Sequence, residues 1–122
     1  TAAGLAASSA VVVVCVRGHG LADYARGGSA VEATWIAAQE LGLAVQPISP
    51  PFLYATNDEE LQEVSPKHAD ELADLRSRFR TAVGLPDGGE DLLVLVLRLS
   101  VAEPAAVRSR RRNVNMDAAP LR

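Results

Sequence analysis

Two arginines near the end of the chain, Arg108 and Arg110, are spaced for one particular kind of binding. In an extended segment, positions i and i+2 point the same way, so the pair can present two guanidinium forks to a single phosphate. Arg111 would face oppositely. A solvated basic tail or a nucleic-acid contact competes with that reading. The second of these is poorly served, because nucleic-acid grooves interleave basic and aromatic residues and the nearest aromatic in sequence is Phe79. A second candidate is the segment 46–52, where Pro47, Pro50 and Pro51 pin φ and push their predecessors toward extended backbone. Such a loop is stiff, either as a plain connector or as backbone held ready for a ligand.

Other chemistry is sparse. His19 and His68 have no Cys or acidic partner at metal-ligand spacing, so no metal site is expected. His19 lies between Gly18 and Gly20 in a turn and is the outside candidate for a substrate-side contact. Ser8, Ser9 and Ser29 lack placed His and acid partners, and no catalytic side chain is expected. Arg17, Gly18, His19 and Gly20 are too short a match to count as a dinucleotide fingerprint. Cys15 is the single cysteine, which excludes an intrachain disulfide and fits a reducing cytoplasm. Its apolar surroundings make it an inert buried thiol. Trp35, in a helix rich in alanine, reads as the principal core filler rather than a stacking residue.

These residues must be positioned by one domain at most, since the chain has 122 residues. Apolar residues make up 48% but aromatics only 4%, so the core is built from small side chains. No apolar run approaches the ~20 residues that span a bilayer, and no basic leader precedes the apolar residues 11–14. A soluble, cytoplasmic protein and a processed or excised piece are the expectations. The net charge of −3 conceals an asymmetry: residues 108–122 hold five Arg against Asp117, or +4, which leaves −7 on the remainder. A basic tail on an acidic body suits docking on an anion or an acidic neighbour.

The element pattern is strand, helix, short strand, acidic segment, helix, strand, arm. Residues 10–16 are a β-branched run without alternation and predict a strand covered on both faces. A helix follows from about Leu21 or Ser29 to Leu41, apolar on most sides and therefore buried nearly all round, with Gly42 as its left-handed C-terminal residue. Residues 43–46 are a short extended exit, and Asn57 starts a one-turn helix with Asp58, Glu59 and Glu60 at its positive end. Ser65 and Pro66 predict the cap and first turn of an amphipathic helix ending near Gly84. Its apolar stripe is Leu72, Leu75, Phe79 and Val83, with Arg76, Arg78 and Arg80 mainly away from it. Residues 92–97 form a second covered strand, with Arg98 at its emerging end. Residues 102–122 have no period and form an arm. Two covered strands do not complete a sheet, so the rest of the fold must come from another polypeptide.

Residues 35–52 together with the Arg108 and Arg110 pair resemble the C-terminal half of a nitroreductase-family, FMN-dependent protein. The resemblance covers about residues 10–112. It extends to nitroreductase-like modules at the C-terminal end of larger actinobacterial proteins, some joined to an adenylyltransferase domain of the ubiquitin-activating type. It implies an α+β fold with a central, mostly antiparallel sheet, packed helices and an extended C-terminal arm. Residues 1–101 would be the C-terminal half of the domain and residues 102–122 the arm. The implied cofactor is FMN, with Pro47, Ile48 and Ser49 bordering the ring and Arg108 and Arg110 holding the phosphate. Pro50 departs from the family's pattern, which has a glycine there, and cannot donate an N–H. The implied activity is hydride transfer from NAD(P)H through flavin N5 to a nitroaromatic or quinone-like acceptor. This chain would supply half the site, with a missing N-terminal half and a homodimer partner supplying the rest. The alternative is a nitroreductase-like interaction or regulatory module without efficient flavin binding.

Overall fold

The computed structural model describes residues 8–86, 89–103 and 106–107. The β-branched run forms β1 (Ala10–Arg17), which stops at Gly18 with φ of 96°, backbone that favours glycine. The Asp23 carboxylate accepts the Gly20 N–H at 2.9 Å and so caps the start of α1 (Leu21–Glu40). Gly42 ends that helix in the left-handed conformation the sequence predicts, φ 71°, donating its N–H to the Gln39 carbonyl at 3.0 Å. Next come β2 (Ala44–Ile48), a one-turn 3-10 helix (Pro51–Tyr54) and α2 (Asp58–Val64). The chain then runs through α3 (Ala69–Ala82) into β3 (Asp91–Ser100).

The three strands make one sheet in the order β1-β3-β2, with β3 antiparallel to both neighbours. Val13 lies opposite Val96 in one ladder and Pro47 opposite Leu97 in the other, and the β1 register shifts between Val14 and Cys15. An α+β architecture of three antiparallel strands and three helices is thus present among the described residues, as the sequence predicts. Successive residues of β3 serve opposite faces. Val94 faces α1, where a Cβ on Gly27 would come within 2.7 Å of its Cγ2. Leu93 faces the other way into a cluster with Phe52, Ala55, Leu61 and Ala69. Leu92, Leu93, Val96 and Leu97 are all buried, so β3 is the doubly covered central strand expected.

β1 is not covered on both faces. It is an edge strand in which Val14 alone is buried; its unbroken valines record β propensity rather than position. Nor is α1 buried nearly all round. Starting at Leu21 rather than Ser29, it buries Gly27 and Ala38 and leaves Tyr24 and Ile36 exposed, because among the described residues it packs mainly on the sheet. Trp35 is half-buried and outside the buried cluster, so the core is not built on it. Pro66 does not open α3. Ser65 closes α2, residues 66–68 turn, with the His68 N–H donating to the Ser65 carbonyl at 3.0 Å, and α3 begins at Ala69. The acidic helix is longer than one turn but starts where expected, with Asn57 Oδ1 accepting the Glu60 N–H at 2.8 Å.

The face of α3 is rotated from its predicted stripe. Ala69 and Arg80 are its buried residues, with Leu72, Ala73, Arg76 and Phe79 half-buried, while Leu75 and Val83 are exposed. Arg98 lies within β3 rather than at an emerging end and is half-buried. Among the described residues no helix is long and apolar enough to cross a membrane.

Candidate functional site

Of the predicted flavin-side residues, Pro47 and Ile48 sit in β2 and Ser49 directly follows it. Pro47 and Ile48 are strand rather than connecting loop, which the edge position of β2 permits because a missing N–H can face outward there. Pro47 and Ser49 are exposed and Ile48 is half-buried. The carbonyl of Pro50 accepts the Leu53 N–H at 2.9 Å, which folds the chain into the 3-10 turn. Arg108 and Arg110 lie outside the described residues, as does most of the arm expected over residues 102–122.

A different set of polar residues converges where the glycine turn after β1, the 3-10 turn and α3 meet the start of β3. Two adjoining cavities of about 240 and 560 Å³ share His19, Leu53, Thr56 and Leu93. The smaller also has Arg76, Arg80 and Asp91 in its wall, and the larger has Tyr24, Tyr54 and Glu60. His19, the outside candidate from its glycine turn, therefore does border a cavity. Arg76, Arg80, Thr56 and Glu60 were not singled out by sequence. An amphipathic reading puts the arginines on the solvent face of the helix, and the signal that could find them is their i, i+4 spacing, shared with Ala69, Leu72 and Ala73.

Arg80 is 8% exposed and is held by backbone rather than by a carboxylate. Its Nε and Nη2 donate to the Pro86 carbonyl at 3.1 and 2.9 Å, and Nη1 donates to the Asp91 carbonyl at 2.9 Å. These charge-assisted bonds tie α3 to the start of β3. The Asp91 carboxylate lies 3.7 Å from Arg17. Arg76 donates through Nη2 to Asp58 at 2.5 Å, whereas its Nη1 is buried with no hydrogen-bond partner among the described residues.

Thr56 donates both its N–H and its hydroxyl to Glu60 Oε2, at 2.6 and 2.9 Å. Those bonds hold the Glu60 carboxyl below its ordinary range against an opposing effect of burial, and the Asn57 side chain and His19 add smaller pulls in the same direction as the bonds. Burial pushes the Cys15 thiol up, the nearby Asp91 carboxylate adds to this and Arg80 partly offsets it. A raised, half-buried thiol is a poor nucleophile at neutral pH, in keeping with the inert role read from its neighbours. No three His, Cys, Asp or Glu side chains among the described residues are grouped as a metal site.

No family model and no solved structure matches the chain. An uncharacterized protein of Mycobacterium tuberculosis (strain CDC 1551 / Oshkosh) is 50% identical over 108 residues. That alignment takes in 88% of this chain but 15% of the relative, so the chain spans only a small part of the length of the protein it matches.

Proposed function

We propose that this chain supplies half of the flavin site of an FMN-dependent NAD(P)H oxidoreductase of nitroreductase type, acting on a nitroaromatic or quinone-like acceptor. The observation that carries the reading is the place of Pro47, Ile48 and Ser49: an exposed sheet edge, unpaired among the described residues, running straight into a proline-stiffened exit. An edge of this kind leaves peptide groups free to meet a flat ring. Ser49, which directly follows β2, keeps an N–H that can serve as a donor. Pro50 offers no second N–H, so the fit to the ring rests on one donor. When bound, FMN supplies the hydride chemistry. The chain's own residues border the ring at Pro47, Ile48 and Ser49 and hold the phosphate at Arg108 and Arg110. The N-terminal half of the domain and a homodimer partner complete the site, and the cytoplasm is its compartment.

A second reading is a nitroreductase-like interaction or regulatory module without efficient flavin binding, favoured by the missing N–H at Pro50. One experiment separates the two. Full-length protein titrated with FMN is expected to quench the flavin's fluorescence and to melt higher, because a ligand at a hundred times its Kd adds about 2.7 kcal/mol of stability. Arg108→Ala should weaken FMN and leave riboflavin unaffected. Absence of both quenching and melting shift sinks the flavin reading and leaves the module.

A further inference from the structure

The larger of the two cavities, about 560 Å³, has an apolar floor and a single fixed charge in its wall. Leu93, buried, forms the floor with the half-buried Leu53 and Val94. Tyr24, Tyr54, His19, Thr56 and Glu60 complete the lining, and among the described residues no Lys or Arg joins them.

Glu60 supplies the charge. Thr56 donates two bonds to its Oε2, which fills two of the roughly four places at which a carboxylate accepts. Those donors are neutral, so the charge stays uncompensated, and the residue is half-buried rather than enclosed. The surrounding ions do not cancel it. Asp23 is paired with Arg26, Asp58 with Arg76 and Asp91 with Arg17. Arg80 lines the adjoining cavity, 8% exposed and bonded to carbonyls. Against it stands the exposed carboxylate of Glu59, the neighbour of Glu60 on α2. His19 adds a positive charge only when its imidazole is protonated.

This wall therefore accepts a cation, and an anion would meet the Glu60 carboxylate at close range. The rings of Tyr24 and Tyr54 favour the same sign. An apolar group on the ligand gains by covering the floor.

We infer that this cavity binds a small organic ammonium ion, its charge beside the Glu60 carboxylate and its apolar group over Leu53, Leu93 and Val94. The inference does not depend on the flavin reading, since none of Pro47, Ile48 and Ser49 lines the cavity.

The test titrates full-length protein at about pH 8, where imidazole is neutral. The probes are phenethylammonium, the uncharged phenylethanol and the anionic phenylacetate. Melting temperature and the methyl NMR signals of Val94 are the readouts. Phenethylammonium is expected to raise the melting temperature and to move the Val94 signals, phenylethanol to do so more weakly and phenylacetate to do neither. Glu60→Gln keeps a residue suited to the same helix cap and should bind phenethylammonium about fivefold more weakly, as for a charge pair in a partly open setting. Val94 signals unmoved by saturating phenethylammonium overturn the inference, and so does equal binding of either control or unchanged affinity in Glu60→Gln. Should that variant fail to fold, the three ligands compared on the wild-type protein decide alone.

Discussion

On one face of the sheet, the seven residues of α2 and a one-turn 3-10 helix bury Leu61 completely and Phe52 and Ala55 nearly so. On the other, a helix of twenty residues leaves Ile36 54% and Leu21 91% exposed. The shorter, more acidic elements are the better buried. What separates them is the number of directions from which they are approached. α2 is enclosed by α3, the 3-10 turn and Leu93 of β3, whereas α1 rests mainly on the sheet. Apolar content offers a helix for burial, and only neighbours accept the offer.

The comparison can be broken most directly at Leu61 and Ile36. Leu61→Ala removes a side chain with 0% exposure and should cost about 2–5 kcal/mol in denaturant unfolding. Ile36→Ala should cost well under half as much. Equal costs would mean that α1 is covered by another polypeptide in solution.

Contact between α1 and the sheet is tested next by two adjacent glycines. An alanine Cβ at Gly27 would lie 2.7 Å from Val94 Cγ2, and overpacking of that kind costs about 1–3 kcal/mol. At Gly28 nothing lies within 4 Å, so Gly28→Ala should stabilise by about 0.8–1 kcal/mol through helix propensity. Opposite signs in paired thermal melts are the expected result. A stabilising Gly27→Ala would show that α1 does not press on β3.

A smaller effect is expected at the cap of α2. Asn57→Ala deletes the acceptor for the Glu60 N–H and should cost about 1 kcal/mol, measured in the same unfolding assay. If the cap contributes nothing, the compact face does not depend on where that helix begins.

The smallest effect concerns Glu60, whose two bonds from Thr56 link the exit of the 3-10 turn to α2. Its carboxyl titrates lower in the folded protein than in the unfolded chain. The contribution is therefore complete above the unfolded value and is lost as pH falls through the folded one. Wild-type protein should lose slightly more stability on acidification than Glu60→Gln, and parallel pH profiles would remove Glu60 from the account.

Much of the element pattern was legible because its signals are local. Asn57 as a cap, Gly42 as a left-handed terminus and the apolar run of β3 each act through the nearest few residues. The candidate site was less legible. Arg76 and Arg80 look like solvent-side charges in sequence, and their placement follows from carbonyls at residues 86 and 91 that only the folded chain brings to them. His19 gave a hint through its two flanking glycines, while Thr56 and Glu60 gave none.

By itself, then, the sequence determined where the backbone turns and which stretches are strand or helix, since dihedral preference, missing N–H groups and caps are short-range. Tertiary structure alone decided that β3 rather than β1 is central, that α1 keeps an exposed apolar side, and that two arginines of α3 face a cavity. Those outcomes depend on which surfaces meet, and residues far apart in the chain settle that together.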